Sequence, residues 1–284
     1  MSDLQPEPAT GPTPEPTSDP TAAASPVTTQ PRQVALRLRG VTKRFGQSTA
    51  VDRLDLDVPR GSFYGLVGPN GAGKTTTLSM ATGLLRPDAG TAHVLGVDVW
   101  ADPVAAKAQI GILPDGLRLF DRLTGRQLVT YAGLLRGLDR GLVEQRTGEL
   151  LAALGLMDAR DKLVIDYSAG MTKKITLACA LVHAPRLLVL DEPFEAVDPV
   201  SARTIRGILE DFAANGGTVV LSSHVMDLVE RICTDVAIIA AGVVRAAGTL
   251  DDVRAGASLE DRFLDLVGGN TTVEGLAWLR TSSD

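Results

Sequence analysis

One eight-residue segment constrains the fold of this 284-residue chain more than any other. It reads Gly68-Pro69-Asn70-Gly71-Ala72-Gly73-Lys74-Thr75, and Thr76 follows it. The segment fits the pattern Gly-x-x-x-x-Gly-Lys-Ser/Thr without a mismatch. A backbone that curls round phosphate oxygens needs residues without a Cβ, which Gly68, Gly71 and Gly73 supply. The segment therefore predicts a phosphate-binding loop, in which Lys74 reaches the β- and γ-phosphates and Thr75 ligates Mg²⁺.

The segments that flank this loop have the periodicity that the pattern requires. Ser62–Val67 is typical of a buried strand, and Lys74–Gly83 is typical of a helix. Leu187–Leu190 and Gly217–Leu221 are also continuously apolar, as expected of parallel strands covered by helices on both faces. The sequence therefore predicts an α/β core with the loop between a strand and a helix, rather than an ordinary glycine-rich turn.

Two other regions predict subdomains attached to this core. Polar and apolar residues alternate in Val34–Leu38 and Leu54–Val58, which predicts half-exposed strands of an antiparallel sheet. Residues 117–163 are rich in Leu, Arg and Gly without a convincing strand, which predicts an inserted helical subdomain at about 117–165. A last helix is expected at Leu259–Val267.

Proline and threonine dominate the first part of the chain, where eight of the 16 prolines precede residue 32. Such a segment buries too little apolar surface to offset chain entropy, so residues 1–33 are expected to form a disordered tail. The tail is either a solubilising linker, which its composition favours, or a docking segment. Residues 34–250 form the predicted domain that contains the phosphate-binding loop, and residues 251–284 a C-terminal helix and a loose end.

Charge and hydropathy exclude several classes of protein. The 28 basic and 34 acidic residues give a net charge of −6 without a basic run, so nucleic-acid binding is not expected. The longest apolar stretches, Leu187–Leu190 and Val236–Val244, are shorter than the ~20 residues that span a bilayer. Cys179 and Cys233 lack the spacing of a metal site or disulfide framework and are expected in the core. The first residues carry no secretory signal, so we expect a cytoplasmic protein.

Two adjacent carboxylates, Asp191 and Glu192, directly follow the predicted strand Leu187–Leu190. In an open α/β sheet this edge is where ligands bind. Asp191 is suited to hold Mg²⁺ through water, which leaves Glu192 to orient and polarise the attacking water. The pair alone is weak evidence, but together with the loop it predicts nucleotide hydrolysis.

With these motifs, the chain resembles the ATP-binding subunits of ABC transporters over roughly Val34–Gly248. Their Leu-Ser-Gly-Gly-Gln signature corresponds to Tyr-Ser-Ala-Gly-Met at 167–171, in which Ser168 and Gly170 match while the third and fifth positions depart. The resemblance implies an α/β P-loop NTPase core of the RecA-like type, with an antiparallel β subdomain and an inserted helical subdomain. It also implies that the signature, followed by a helix at Lys173–His183, closes over the γ-phosphate bound by another subunit. Judged locally, Ser168 is equally typical of a helix N-cap.

Three more residues match positions with known roles in this family. The resemblance makes Phe45 the aromatic residue that stacks on adenine, although a core phenylalanine has the same pattern. It makes His224 the switch histidine that contacts the γ-phosphate and the catalytic water. It places Asp198 in the D-loop at the subunit interface. His93 and His183 match no functional position and are expected to be structural.

Asp115 is the largest departure, because most members of this family carry glutamine there, in the Q-loop. A carboxylate keeps the capacity to ligate Mg²⁺ but loses the donor capacity of the amide. Acidic residues at this position occur in the branch of the family that resembles drug and polymer exporters. The C-terminal segment Ser258–Phe263 resembles the same branch, and both features imply export.

The resemblance also implies a function and partners. Two copies bind two ATP molecules, dimerise, hydrolyse ATP and drive separate membrane-spanning permease subunits, which dock at the helical stretch and the Asp115 loop. The protein would then lie at the inner face of the cell membrane. A first alternative is a nucleotide-gated scaffold with little hydrolysis, against which Glu192 and His224 argue. A second is a soluble ATPase acting on ribosomes or DNA, which the acidic balance and the single cassette disfavour.

Overall fold

The computed structural model describes residues 32–116 and 119–268. The predicted tail up to residue 31 and the predicted loose end from residue 269 lie outside the described residues. The strands are β1 (Val34–Phe45), β2 (Ser48–Pro59), β3 (Phe63–Val67), β4 (Ala89–Val94), β5 (Val97–Asp98), β6 (Ile110–Leu113), β7 (Leu187–Leu190), β8 (Thr218–Ser223), β9 (Asp235–Ala240) and β10 (Val243–Thr249). The helices are α1 (Lys74–Ala81), α2 (Pro103–Ala108), α3 (Gly125–Leu135), α4 (Arg140–Ala153), α5 (Ala169–Leu181), α6 (Pro199–Ala214), α7 (Met226–Ile232), α8 (Leu250–Arg254) and α9 (Leu259–Val267).

A six-stranded sheet with the order β10-β9-β3-β8-β7-β6 forms the core. Its strands run parallel except for β10, which is antiparallel to β9. Alternate residues of β3 enter different apolar clusters, Phe63 and Val67 on one face and Tyr64 and Leu66 on the other. Both faces of the sheet are therefore covered, which explains the continuous apolar runs. The predicted α/β core is confirmed.

The second sheet is antiparallel, with the order β2-β1-β4-β5. Strands β1 and β2 pair from Val34 opposite Pro59 to Phe45 opposite Ser48, so both are longer than the alternating segments predicted. The hairpin places Phe45 at its tip. Strand β4 was not predicted, because it contains Gly90, where a Cβ would lie 2.5 Å from backbone atoms of β1. The predicted antiparallel subdomain is confirmed, with two additional strands.

Strand β6, at the edge of the core sheet, was also not predicted. It has only four residues and contains Gly111, where a Cβ would lie 2.3 Å from the carbonyl oxygen of Ala180 in α5. The glycine therefore permits close packing of the strand and the helix, while it weakens the sequence pattern of a strand. The C-terminal end of β6 leads directly to Asp115.

Helices α3 and α4 confirm the predicted helical insertion. Helix α3 begins with a capping box, in which the Thr124 hydroxyl accepts from the Gln127 N–H and the Gln127 side chain accepts from the Thr124 N–H. Helix α5 begins at Ala169 and not at the predicted Lys173, because Ser168 is its N-cap. Helix α1 ends at Ala81, two residues before the predicted end.

Of the residues expected to be structural, Cys233 is buried, Cys179 and His183 are half-buried, and His93 is half-exposed beside Asp98. Burial raises the pKa of the Cys179 thiol to about 12 and raises that of Cys233, so both thiols stay protonated. Burial and the neighbouring Arg136 lower the pKa of His183 to about 4, and its Nε2 lies 3.0 Å from the Ile110 carbonyl oxygen. His183 is therefore neutral near pH 7 and joins the end of α5 to β6. Within 32–116 and 119–268, no helix has both the length and the apolar character needed to cross a membrane.

Candidate nucleotide-binding site

The predicted phosphate-binding loop lies between the C-terminal end of β3 and the first turn of α1. Gly68 has no room for a side chain, since a Cβ would lie 2.3 Å from the Ile239 carbonyl oxygen. Gly73 has a φ of 102°, and a Cβ there would lie 2.5 Å from the Ala50 carbonyl oxygen. Gly71 has a φ of 79°, in the left-handed region that favours glycine. All three glycines are thus required by the backbone of the loop.

Lys74 is the charged group at the centre of the loop. Its side chain is almost completely buried, and Nζ donates to the carbonyl oxygens of Gly68 at 2.7 Å and Pro69 at 3.4 Å. Nζ also lies 3.8 Å from Oε1 of Glu192. A buried ammonium at the N-terminus of a helix is a strong anion-binding group. This arrangement therefore fits a phosphate in front of α1.

Asp191 and Glu192 follow β7 at the same edge of the sheet. The Ser222 hydroxyl joins them, since it donates to Oδ1 of Asp191 at 2.5 Å and accepts from the Glu192 N–H at 2.9 Å. Glu192 has a φ of 46°, in the left-handed region. Nδ1 of His224 lies 3.1 Å from Oε2 of Glu192. An ionised carboxylate only accepts hydrogen bonds, so a hydrogen bond between these two atoms requires that Nδ1 is the donor.

A cleft of about 480 Å³ lies over the loop. It is lined by Phe45, Ala50, the loop residues Pro69, Asn70, Gly71, Ala72, Gly73, Lys74, Thr75 and Thr76, and by Asp115, Glu192, Glu195 and His224. Asp191, which precedes Glu192 in the chain, is 4% exposed and is not among the residues that line the cleft. The phenyl ring at the hairpin tip is 53% exposed, so the alternative of a core phenylalanine is wrong. The structure therefore brings together predicted residues from five separate parts of the sequence.

A second cluster consists of Ser168, Gly170 and Asp198. None of these three residues is among the described residues that line the cleft. The Ser168 hydroxyl accepts from the Met171 N–H at 3.3 Å as the N-cap of α5. A Cβ at Gly170 would lie 2.8 Å from Oδ2 of Asp198. Hydrogen bonds from Ser201 lower the pKa of Asp198, which is the N-cap of α6. Two helix N-termini thus meet at an exposed surface of the same subunit.

Two contacts of the site were missed by sequence reasoning. Ser222 is a polar residue at the end of the apolar strand β8, and this position is the signal that could have identified it. Lys173 donates from Nζ to the Glu192 carbonyl oxygen at 2.9 Å and lies 3.6 Å from Oδ1 of Asp115. Nothing in the local sequence around Lys173 indicates these contacts, because they join residues that are far apart in the chain.

A strand–loop–helix phosphate site, with two carboxylates after another parallel strand of the same sheet, defines a P-loop ATPase. The profile of the family described as ABC transporter matches residues 51–195. The daunorubicin/doxorubicin resistance ATP-binding protein DrrA of Streptomyces peucetius is 38% identical over 226 residues, which are 80% of this chain and 68% of that protein. The linearmycin resistance ATP-binding protein LnrL of Bacillus subtilis is 35% identical over 77% of this chain and 70% of its own length.

A solved structure described as the ATP-binding subunit of an ABC transporter has the same fold, with a TM-score of 0.76 and 29% identity. The match covers 82% of this chain and 99% of that one. This chain belongs to the ABC transporter family, and it is an ATP-binding, ATP-hydrolysing subunit of that family.

Proposed function

We propose that this subunit couples ATP-driven dimerisation to export through separate membrane-spanning subunits. The observation that carries the proposal is the separation of the two site clusters. The phosphate loop opens into a cleft that Ser168 and Gly170 of the same chain do not line. A second copy that places its Ser168 cluster over this cleft would supply a hydroxyl and a helix N-terminus to the outer phosphate. ATP then links the two subunits.

The proposed roles in the cleft follow from its geometry. Phe45 offers an exposed ring for adenine, and Lys74 binds the β- and γ-phosphates through its ammonium group. Glu192 accepts a hydrogen bond from the attacking water and so polarises it, while His224 holds one carboxylate oxygen of Glu192 through Nδ1. Lys74 compensates the charge that Glu192 brings to the phosphates.

Mg²⁺ is the proposed metal of this cleft. Among the described residues no cluster of three or more His, Cys, Asp or Glu side chains forms a metal site by itself. Thr75 and Asp115 line the cleft, and Asp191 adjoins Glu192, which also lines it. The hydroxyl and carboxylate oxygens of these residues are ligands that suit Mg²⁺ when nucleotide phosphates complete the set. The residues therefore fit the ion, which when bound neutralises charge on the β- and γ-phosphates.

Export is the proposed direction. The relatives support it, since their names describe resistance to daunorubicin, doxorubicin and linearmycin, and a further relative at 37% identity is named a Nod factor export ATP-binding protein. The proposed location is the inner face of the cell membrane, through the permease partner. Steady-state phosphate release tests the first alternative directly, because a nucleotide-gated scaffold would release little phosphate.

The helical subdomain offers a surface for the membrane partner. A groove of about 1020 Å³ is lined by residues of α3, of α4 and of the segment that precedes α3. Phe120 is 62% exposed and Tyr131 is 43% exposed, and their rings meet edge to face with centroids 5.8 Å apart. Arg126 and Arg160 also line the groove. Exposed aromatic residues beside arginines are typical of protein interfaces.

The proposed function predicts that this groove retains an integral membrane protein. In affinity purification from detergent-solubilised membranes, the wild-type subunit should retain such a protein, and Phe120→Ala/Tyr131→Ala should lower the recovered amount at least tenfold. Val104→Ala is the matched control, since Val104 is 80% exposed on α2 and does not line the groove. ATP affinity should be unchanged in all three. Wild-type protein that retains no membrane protein would contradict the proposal.

A further inference from the structure

Lys173 connects three parts of the candidate site within one subunit. It lies in the second turn of α5, the helix that Ser168 caps, and its side chain is only 18% exposed. Its Nζ donates to the Glu192 carbonyl oxygen at 2.9 Å and lies 3.6 Å from Oδ1 of Asp115. One ammonium group therefore contacts the loop after β6 and the segment after β7.

The backbone of Glu192 needs such support. Its φ of 46° is unfavourable for a residue with a side chain, and such a conformation persists when surrounding contacts hold it. The N–H of Glu192 donates to the Ser222 hydroxyl at 2.9 Å, and its carbonyl oxygen accepts from Lys173 at 2.9 Å and, over a longer distance of 3.3 Å, from the Glu195 N–H. Both backbone polar groups of Glu192 are thus held by side chains from other elements, one from β8 and one from α5.

Asp115 is the second acceptor beside the Lys173 ammonium, which therefore lies between the Asp115 carboxylate and the Glu192 carbonyl oxygen. The ion pair of 3.6 Å requires a carboxylate, since the neutral amide of a glutamine would provide no charge. The acidic residue at this position therefore has a partner within the same chain, on the helix that begins at Ser168. A displacement of α5 would be transmitted through Lys173 to the backbone of Glu192.

We propose that Lys173 is a positioning residue that holds the Glu192 backbone, and therefore its carboxylate, in the orientation needed for hydrolysis. This inference rests on the role proposed for Glu192 above. Lys173 does not line the ATP cleft, so its loss should lower the turnover number and leave nucleotide binding unchanged. A merely structural residue would instead change the melting temperature together with both kinetic constants.

The test compares Lys173→Met with Lys173→Arg. Lys173→Met should lower the ATP turnover number at least tenfold, with the KM for ATP and the affinity for a fluorescent ATP analogue within twofold of wild type. Lys173→Arg keeps the charge and the donors, and should restore turnover to within threefold of wild type. Lys162→Met is the matched control, since Lys162 is exposed and its side chain has no hydrogen bond or ion pair within the described residues. Its turnover should equal that of wild type.

Glu192→Gln, assayed in parallel, separates the two possible failures. If Glu192→Gln loses turnover while Lys173→Met keeps it, the positioning role is wrong and the proposed role of Glu192 stands. If Glu192→Gln keeps turnover, the proposed role fails and the inference fails with it. Should the methionine variant not fold, Lys173→Leu gives the same comparison, because leucine has neither a charge nor a hydrogen-bond donor. Equal losses in the Lys173→Met and Lys173→Arg variants would also overturn the inference.

Discussion

Glu192→Gln should lower steady-state phosphate release by about 10³-fold, within the range that general acid–base groups contribute. The amide has the shape of the carboxylate but cannot polarise water as a base. The carboxylate lies 3.8 Å from Lys74 and 3.1 Å from His224, so it is placed beside the expected phosphates and held in orientation. ATP affinity should stay the same or increase, because a negative charge leaves the phosphate site.

Phosphate release at saturating ATP and Mg²⁺ measures this effect, and binding of a fluorescent ATP analogue measures affinity. Glu210→Gln is the control, since Glu210 lies on the exposed face of α6 and, among the residues that the structure describes, forms an ion pair with Arg206 alone. That variant should differ from wild type by less than twofold. Turnover that survives in Glu192→Gln would assign the water-polarising role to another group.

The second large effect is expected on the affinity of the subunit for ATP. Lys74→Met should weaken ATP affinity by about 10²-fold, because a charged hydrogen-bond donor contributes about 1.5–3 kcal/mol. The ammonium is nearly buried and already faces the loop through the carbonyl oxygens of Gly68 and Pro69. It therefore reaches the phosphates without a large reorganisation of its side chain. Methionine keeps the aliphatic volume and removes only the charge and the donors.

Titration with the fluorescent ATP analogue in the absence of Mg²⁺ isolates this contribution, because metal-dependent effects are then excluded. Thermal unfolding followed by circular dichroism checks that the variant is folded. Lys162→Met, on an exposed lysine outside the cleft, should bind like wild type. An affinity of Lys74→Met within threefold of wild type would show that the loop amides alone carry phosphate binding.

The core and the loop were accessible from the sequence because their determinants are local. The strand at Phe63–Val67 is buried on both faces and is therefore apolar throughout, and the glycines at 68, 71 and 73 are demanded by the backbone itself. Strands β4 and β6 escaped prediction because close packing against neighbouring elements requires Gly90 and Gly111 in them. The physical need that places glycine there also removes the strand pattern.

The contacts between site residues could not be predicted. Ser222 and Lys173 are 31 and 18 residues from Asp191, and the sequence around Asp191 indicates neither contact. Ser222 nevertheless joins Asp191 to the Glu192 backbone, and Lys173 donates to the Glu192 carbonyl oxygen. Such contacts depend on the order of strands in the sheet, which periodicity does not determine. Phe45 could be assigned either to the core or to the site until the hairpin placed it at an exposed tip beside the loop.

The most direct test of the dimer mechanism is the mass of Glu192→Gln in solution, measured by light scattering with ATP and with ADP. The mechanism predicts twice the subunit mass with ATP, two bound nucleotides per dimer, and single subunits with ADP. Subunits that hold uncleaved ATP but remain single at high concentration, and also in the presence of their membrane partner, would contradict it.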